Sequence, residues 1–464
     1  MNFQWVIMLK NSDKKLFAII FTLAWPTMLE QFMQTAVQYV DTAMVGSLGT
    51  SSTAAVGATG TINWLIGGTV SALGIGFLAF ISQANGAKRY DDVKKASAQS
   101  VLAVFVSGIF FTVLTLSLSG MIPVWMHADE EIRPLASQYF FILYAPMLPR
   151  AASLIFGMVI RSSGDTKTPM VIGFIVNIVN VVLNFFLIYQ SRTVEIFNVN
   201  IMLPGAGLGV IGAALASAAA YTLGGILITV ALFRHPVLSP RGASLCPDLK
   251  ILRPCLRVAF PNMLQRFGTS LGYVVFASMI NSLGDVSTAA HTIANTVESA
   301  FYIPGYGMQT ASATLAGNAI GEGDRRKMRD YVRITVIIET LMMLVSGGLL
   351  FIFAPAMVGI FSTDTAVILL GSTVLRMVAL SEPFFGISIV LEGVMQGAGK
   401  TAMPFVFNII GMWGIRIVGT FICIVFFSLG LVSAWACMIT HNIILFLMFV
   451  IYYLRGKWYP TAEN

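Results

Sequence analysis

The sequence predicts an all-α integral membrane protein of twelve transmembrane helices, arranged as two parallel, pseudo-symmetric six-helix bundles. Three observations predict it: a composition too apolar for water, long apolar windows that recur along the chain, and an internal repeat at a constant offset. Of 464 residues, 56% are hydrophobic and 11% charged, and the mean hydropathy is +0.81. A soluble domain carries about a quarter charged residues, so water is not the main solvent of this surface. A hydrocarbon core roughly 30 Å thick needs a helix of about 20 residues. Twelve apolar segments reach that length, at roughly 16–45, 52–82, 97–125, 134–158, 169–190, 205–233, 254–281, 288–317, 332–360, 366–393, 402–427 and 430–454. The 42 Gly and 17 Pro would count against helices in water. In a bilayer, neighbouring helices re-satisfy the backbone groups they free.

The halves align at an offset of 235 residues. AWPTMLEQF at 24–32 matches AFPNMLQRF at 259–267, SLGTSSTAA at 47–55 matches SLGDVSTAA at 282–290, and GDTKTP at 164–169 matches GKTAMP at 399–404. Gly86 matches Gly321. Near the end the offset falls to 221, with GVIGAALA at 209–216 against GLVSAWAC at 430–437, because the first half has a longer outer loop around 190–203. The repeat divides the chain into an N-terminal six-helix lobe, 1–235, and a C-terminal one, 236–464. Six spans are an even number, so both halves enter from the same side and are parallel repeats about an axis along the membrane normal. Two such bundles leave a cleft, and rocking them gives alternating access to a site near the midplane.

Charge fixes the orientation. Most of the 28 basic residues fall in one set of connections: Lys10, Lys14 and Lys15; Lys88, Arg89, Lys94 and Lys95; Arg161 and Lys167; Arg234, Arg241, Lys250, Arg253 and Arg257; Arg325, Arg326, Lys327, Arg329 and Arg333; Lys400, Arg455 and Lys457. The alternating set holds Arg133 and Arg192 beside Asp129, Glu130, Glu131, Glu195, Asp285 and Asp364. The positive-inside rule then places both termini in the cytoplasm and the chain in a cell (inner or plasma) membrane as a multi-pass protein. The net charge of +7 belongs to this asymmetry and implies no nucleic-acid partner. The first apolar run is too long for a cleavable signal and has no A-x-A site after it. The four cysteines are scattered and imply no disulfide framework. GDTKT lacks the G-x-x-x-x-G-K-[ST] pattern, so it is no phosphate loop. Four dispersed His and no Ser/His/Asp or haem pattern argue for a non-enzyme without a cofactor.

Polar residues inside spans are costly and functional by default. The first span carries Thr27, Gln31, Gln34, Gln38 and Asp41 on one helical face, the fifth carries Asn177, Asn180 and Asn184, and the sixth carries Ser217 and Tyr221. An aspartate, amides and a hydroxyl suit a hard monovalent cation, with Asp41 and Asn180 as Na+ ligands, or a proton on the carboxylate. The alternative is that the amides only tie helices together. In the repeat the first-span stripe becomes Asn262, Arg266, Thr269, Tyr273 and Phe276, while Asn180 and Asn184 become Ile415 and Gly419. An ion site therefore belongs to the N-terminal half. The C-terminal half has Arg266, Glu298, Glu392, Arg416 and His441, in which Glu298 or Glu392 can pair with Arg416 or Arg266 as a structural ion pair. Gln34, Gln38, Asn177, Tyr221, Glu298, Arg266 and Arg416 are the candidates for a substrate cavity.

WPTMLEQFMQTAVQYVDTAMVGSLG at 25–49, IRSSGDTKTPM at 160–170, LGVIGAALAS at 208–217, STAAHTIANTVESAFYIPGYGMQTASATLAGNAIGEGD at 287–324 and LEGVMQGAGKT at 391–401 resemble the multidrug and toxic compound extrusion family. The likeness runs over essentially the whole chain and is nearest to prokaryotic members that keep their coupling acid in the N-terminal lobe. It implies two lobes in a V, exporting small organic cations or drugs against inward protons or sodium. It implies ion coupling at Asp41, Asn180, Asn184 and Ser217, with Asp41 the carboxylate, Asn180 the amide and Ser217 standing where Thr is often found. Related proteins often place a second aspartate where this chain has Asn184, and that loss leans the coupling toward protons with sodium open. The span-seven glutamate of another branch is missing near Thr269. A chain that contains its own pseudo-dimer is expected to work as a monomer in the bilayer. The competing readings are a lipid-linked oligosaccharide flippase of the same superfamily and, from another class, a membrane-embedded enzyme or channel.

Overall fold

Residues 11–126, 128–196 and 199–459 are described by the computed structural model; Lys10, counted above with the cytoplasmic charges, lies outside the described residues. The described residues fold into twelve helical rods. The first six are α1 (Asn11–Gly46), α2 (Thr50–Gly86), α3 (Tyr90–Leu118) with the single turn α4 (Ile122–Trp125), the pair α5 (Arg133–Tyr144) and α6 (Met147–Ser162), α7 (Lys167–Ile188) and α8 (Gly209–Arg234). The second six are α9 (Leu249–Asn281), α10 (Asp285–Gly321), α11 (Arg325–Gly359), the pair α12 (Thr365–Ala379) and α13 (Glu382–Gly397), a composite rod, and α16 (Leu431–Arg455). The composite rod is α14 (Ala402–Ile409), a π-helical stretch Ile410–Ile417, α15 (Val418–Phe421) and a second π stretch Ile422–Phe426.

Eight of these rods are long and apolar enough to cross a membrane, and each bent pair supplies one more. The remaining two, α9 and α10, have 33 and 37 residues. They carry more polar side chains, and across the bundles α9 packs on α2 and α10 on α1 and α2. The two bent pairs turn by 52° and 53°. Tyr144 and Met147 flank the first break, and Ala379 and Glu382, each 235 residues on, flank the second. Pro146 stands in the first break and Pro383 in the first turn after the second. A proline lacks the N–H and crowds the carbonyl one turn back, which favours a kink or a break at that point of a helix.

One expectation changes. In place of the expected outer loop around 190–203, β1 (Gln190–Ile196) and β2 (Val199–Ala206) form an antiparallel hairpin, and the sixth span begins at Gly209 rather than near 205. Its β-branched Val194, Ile196, Val199 and Ile201 favour extended backbone, and their period is invisible in a search for apolar windows. The loop motif shared by the halves has a backbone cause: Gly164 and Gly399 both sit at positive φ, 92° and 73°, where a Cβ is strained.

The two bundles close on each other at the Gly86/Gly321 end through a reciprocal clamp. A Cβ on Gly86 would overlap the Asn318 carbonyl, and a Cβ on Gly321 would overlap the Gln83 carbonyl. Gln83 Nε2 donates to the Gly397 carbonyl at 2.8 Å, and its repeat partner Asn318 donates through Nδ2 to the Ser162 carbonyl at 3.3 Å. Ser162 and Gly397 are themselves repeat partners. Further along, Thr27 Oγ1 donates to the Gly307 carbonyl at 2.9 Å. Towards the opposite end the outer part of α1, Gln34 to Gly46, has one buried residue, Val45, and Tyr39 reaches across to donate to the Thr296 carbonyl at 3.0 Å.

Candidate functional site

Three rods of the first bundle bring their polar faces together. On α7, Asn180 and Asn184 are one turn apart and both buried. On α8, Ser217 faces them, because two glycines let α8 approach closely: a Cβ on Gly212 would strike the Leu187 carbonyl and one on Gly225 the Pro149 carbonyl. On α1, Asp41 closes the group. Asn184 Nδ2 donates to Asp41 Oδ1 at 2.6 Å and to Asn180 Oδ1 at 3.2 Å. The Asn180 side chain spans the gap between Ser217 and Asp41 and has two readings. With its nitrogen toward Asp41 it donates to an ionised carboxylate at 2.9 Å while its oxygen accepts from Ser217 Oγ at 3.2 Å. With its oxygen toward Asp41 the two oxygens are 2.9 Å apart, a contact that needs a hydrogen between them, and a protonated Asp41 carboxyl supplies it. All four residues expected to act together therefore meet.

The oxygens of Asp41, Asn180, Asn184 and Ser217 are the set that could hold Na+. The fit is partial: an N–H of Asn184 points at the carboxylate where a cation would stand, and the Asn184 oxygen is buried without a partner. A sodium ion would need that amide turned round. Among the described residues no three His, Cys, Asp or Glu side chains converge as a metal site.

The other sequence-predicted residues distribute differently. Gln34 and Gln38 are exposed on the same face of α1, and Asn177 is half-buried on α7. Tyr221, one turn beyond Ser217, lies with its ring 4.7 Å from the guanidinium carbon of Arg150. Arg150 is a charge inside the fourth span that the polar-stripe argument left out. It is buried, with Nη2 donating to Asn63 Oδ1 at 2.8 Å, and Tyr144 donating to the same oxygen at 2.9 Å. Arg161, counted above among loop charges, is a correction. The structure buries it in the last turn of α6, where it grips the buried Glu30 carboxylate at 2.5 and 2.6 Å. Sequence distance to a loop misled, because the partner is 131 residues away.

In the second bundle Glu298, Arg266 and Arg416 form no ion pair among the described residues. Arg416 stacks over Phe276 at 4.1 Å and Tyr273 at 5.0 Å. Arg266 donates weakly to Asn262 at 3.4 Å and packs against Gly68 of α2. Glu392 accepts from three amides, Gln265 at 2.9 Å, Gln396 at 3.1 Å and Asn408 at 3.2 Å. Both Glu339 oxygens are buried without partners. Arg266 lies on the repeat's copy of the first-span stripe, whereas Glu298, Glu339, Glu392 and Arg416 are singled out in the sequence by their charge inside spans alone.

The MatE family model matches the chain twice, at 26–186 and 261–422, and the two matches begin one repeat offset apart. The chain is 26% identical over 440 residues to the probable multidrug resistance protein NorM of Thermotoga maritima, covering 95% of this chain and 92% of that one. It is 22% identical to the probable multidrug resistance protein YoeA of Bacillus subtilis over 88% of this chain and 87% of that protein. In fold it superposes on a MOP superfamily transporter from Pyrococcus furiosus with a TM-score of 0.88, over 98% of this chain and 100% of the other, at 21% identity. A family match that covers most of the chain, repeated in both of its halves, settles the lineage: this protein belongs to the MatE family.

Proposed function

We propose that this chain is a secondary active antiporter that exports small organic cations or drugs, driven by protons entering at Asp41. The observation that carries the reading is the Asp41–Asn180–Asn184–Ser217 cluster, one carboxylate with amide and hydroxyl partners inside a helix bundle. Only a group that changes charge or partners between states can couple two fluxes. Asp41 changes both: ionised, it accepts from Asn184 and Asn180; protonated, it donates to the Asn180 oxygen. The amide of Asn184 already fills one coordination direction of the carboxylate, which favours a proton over sodium.

The lobes are 1–235 and 236–464, hinged against one another. Basic residues at 88–95 and 325–333 flank the clamped end, so that end is cytoplasmic by the positive-inside rule, and both termini lie on that side of a cell membrane. The conformation is then sealed toward the cytoplasm and looser toward the outside, where the exposed Gln34 and Gln38 of α1 and the half-buried Asn177 line the way to Asp41. Arg266, Tyr221, Glu298 and Arg416 belong to the walls of the two bundles. The names of the relatives, multidrug resistance proteins, support a cargo of drug-like molecules, and one chain suffices as the working unit.

The test is efflux of a fluorescent organic cation from proteoliposomes under separately imposed proton and sodium gradients. Asp41→Asn keeps the hydrogen-bonding shape and removes the titrating group. It is expected to abolish ion-driven efflux, by about 100-fold or more, with the melting temperature nearly unchanged. Efflux at the native rate in a folded Asp41→Asn protein overturns the reading.

A further inference from the structure

The rod that opens the second bundle carries charge of one sign only. α9 holds Lys250, Arg253, Arg257 and Arg266 and no Asp or Glu. The acid just ahead of it, Asp248, caps the helix by accepting from the Lys250 backbone N–H at 2.9 Å. Lys250, Arg253 and Arg257 are exposed, and among the described residues none of them meets a carboxylate. Spacings of 3 and 4 set the three on one helical face. The same spacings carry that face on through Phe260, Leu264, Phe267 and Leu271, all exposed. The opposite face, with Ile251 and Cys255 buried, lies against α2, so closely that a Cβ on Gly76 would strike the Cys255 carbonyl. The start of the rod is fixed as well. The buried Gln99 of α3 donates through Nε2 to the Cys246 carbonyl at 2.8 Å and accepts from the Asp248 N–H at 3.1 Å.

We propose that this face of α9 binds one anionic phospholipid of the cytoplasmic leaflet, its phosphate among Lys250, Arg253 and Arg257 and an acyl chain along Phe260 to Leu271. The choice of leaflet rests on the orientation read from the charge asymmetry; the site itself does not. At 1.5 Å per residue the cations cover about 10 Å of helix and the apolar stretch about 16 Å. A layer of polar head groups is roughly 5–7 Å deep and the hydrocarbon of one leaflet about 15 Å, and long basic side chains extend along the rod to close the difference. Arginine grips a phosphate through two N–H groups, and basic residues at the membrane surface attract anionic lipids. A soluble acidic partner would match the cations and leave the apolar half untouched, whereas a lipid matches both. Topology alone does not demand the stripe. At the matching positions α1 has Lys15, Ala18 and Thr22, followed by Trp25, Leu29, Phe32 and Ala36, so the apolar half is kept and two of the three cations are absent. α11 also exposes Arg326 and Arg329, but acids stand among them: Lys327 meets Glu322 at 2.5 Å, and Arg333 lies 3.9 Å from Asp330.

The experiment uses the purified protein in nanodiscs with phosphatidylglycerol diluted in phosphatidylcholine in both leaflets, so the result does not depend on orientation. Native mass spectrometry counts the retained lipid, and melting is compared with discs of phosphatidylcholine alone. The wild type is expected to retain one phosphatidylglycerol and to melt higher in the mixed discs. Arg253→Gln with Arg257→Gln should lower that retention by about tenfold or more and remove the gain in melting. Arg253→Lys with Arg257→Lys should keep both, and so should Arg326→Gln with Arg329→Gln. Glycerol phosphate in solution should not displace the lipid. A photoactivatable phosphatidylglycerol should crosslink to the wild type within 250–271, which locates the site even where a variant does not fold. Retention of phosphatidylglycerol no better than of phosphatidylcholine overturns the proposal, and so do crosslinks confined to other rods. An equal loss in the α11 variant reduces the effect to general attraction by basic residues and overturns it too. Displacement by glycerol phosphate assigns the cations to a soluble phosphate and overturns the lipid. Orientation is read separately, from thiol labelling of Gly323→Cys in intact cells; labelling from outside would move the site to the other leaflet and leave the binding result standing.

Discussion

The two bundles bury a carboxylate within the same set of repeat-related positions and satisfy it by different means. In the first, Glu30 meets Arg161 at 2.5 Å, with Gly157 and Gly173 leaving room for the pair. The residues 235 positions on are Gln265, Gln396, Glu392 and Asn408, and there the carboxylate has moved to Glu392 and is held by the three amides. Asp41 of the first bundle corresponds to Phe276 of the second, whose ring carries Arg416. Asn63, the acceptor of Arg150, corresponds to Glu298. Positions charged in one copy of the scaffold are thus neutral in the other. The backbone, its bends and its clamp are shared, while the interior charges are free to diverge, because each needs only a local partner. Function therefore follows the charge pattern of one bundle and not the fold that both share.

The largest difference should appear when one partner is removed from each matched carboxylate. Arg161→Gln strands the Glu30 charge in a buried place, and breaking a buried ion pair from one side costs about 3–5 kcal/mol. Gln396→Ala takes away one of three donors to Glu392, and a lost hydrogen bond to a charged group costs about 1.5–3 kcal/mol. Unfolding of the two variants in detergent checks the order. Equal losses would erase the distinction between an ion-paired and an amide-held carboxylate.

The clamp predicts equality where the interior predicts difference. Gly86→Ala and Gly321→Ala each drive a Cβ into a carbonyl of the opposite bundle, so each should destabilise the closed end by a similar amount, about 1–3 kcal/mol. A cysteine in place of Ser82, buried behind the clamp, should gain reactivity toward a thiol reagent in both backgrounds. A response to one glycine alone would show that the pseudo-two-fold is broken there.

Asn184→Asp restores an acid that only the first bundle can use, since the matching residue of the second is Gly419. It should raise the sodium dependence of transport, measured in proteoliposomes with imposed sodium gradients. Unchanged ion preference would break the argument that the number of charges around Asp41 selects the ion.

The smallest effect lies where the bundles end. The final rod of the second bundle stops at Gly456, with φ 66°. The first stops at His235, whose Nδ1 accepts from the Val237 and Leu238 amides at 3.2 and 3.1 Å. Partial burial lowers the His235 pKa below its ordinary 6.5, opposed by nearby Asp165. The unfolded chain therefore takes up the proton first as pH falls, and the stability His235 contributes is present above about pH 6.5 and is lost below it. Melting of the wild type should fall more between pH 7.5 and 5.5 than melting of His235→Gln. Parallel curves would remove the histidine from the account of how α8 ends.

Much of this was legible in the chain itself. Apolar windows, charge alternation and the 235-residue repeat are properties of short segments, so they determined the rods, their number and the polar face of α1 that ends at Asp41. The same reasoning placed Asn180, Asn184 and Ser217 on facing helices, because helical period depends only on neighbours in sequence. What the tertiary structure decided is which distant groups touch. Arg161 read as a loop charge until its partner on α1 was known. Arg150 had no visible environment, the Asn180 amide had no orientation, and Gly86 and Gly321 were matching letters without a reason. The physical cause is common to all of them. Burial, pairing and steric contact join residues far apart in the chain, and their energies depend on distances that no local pattern encodes.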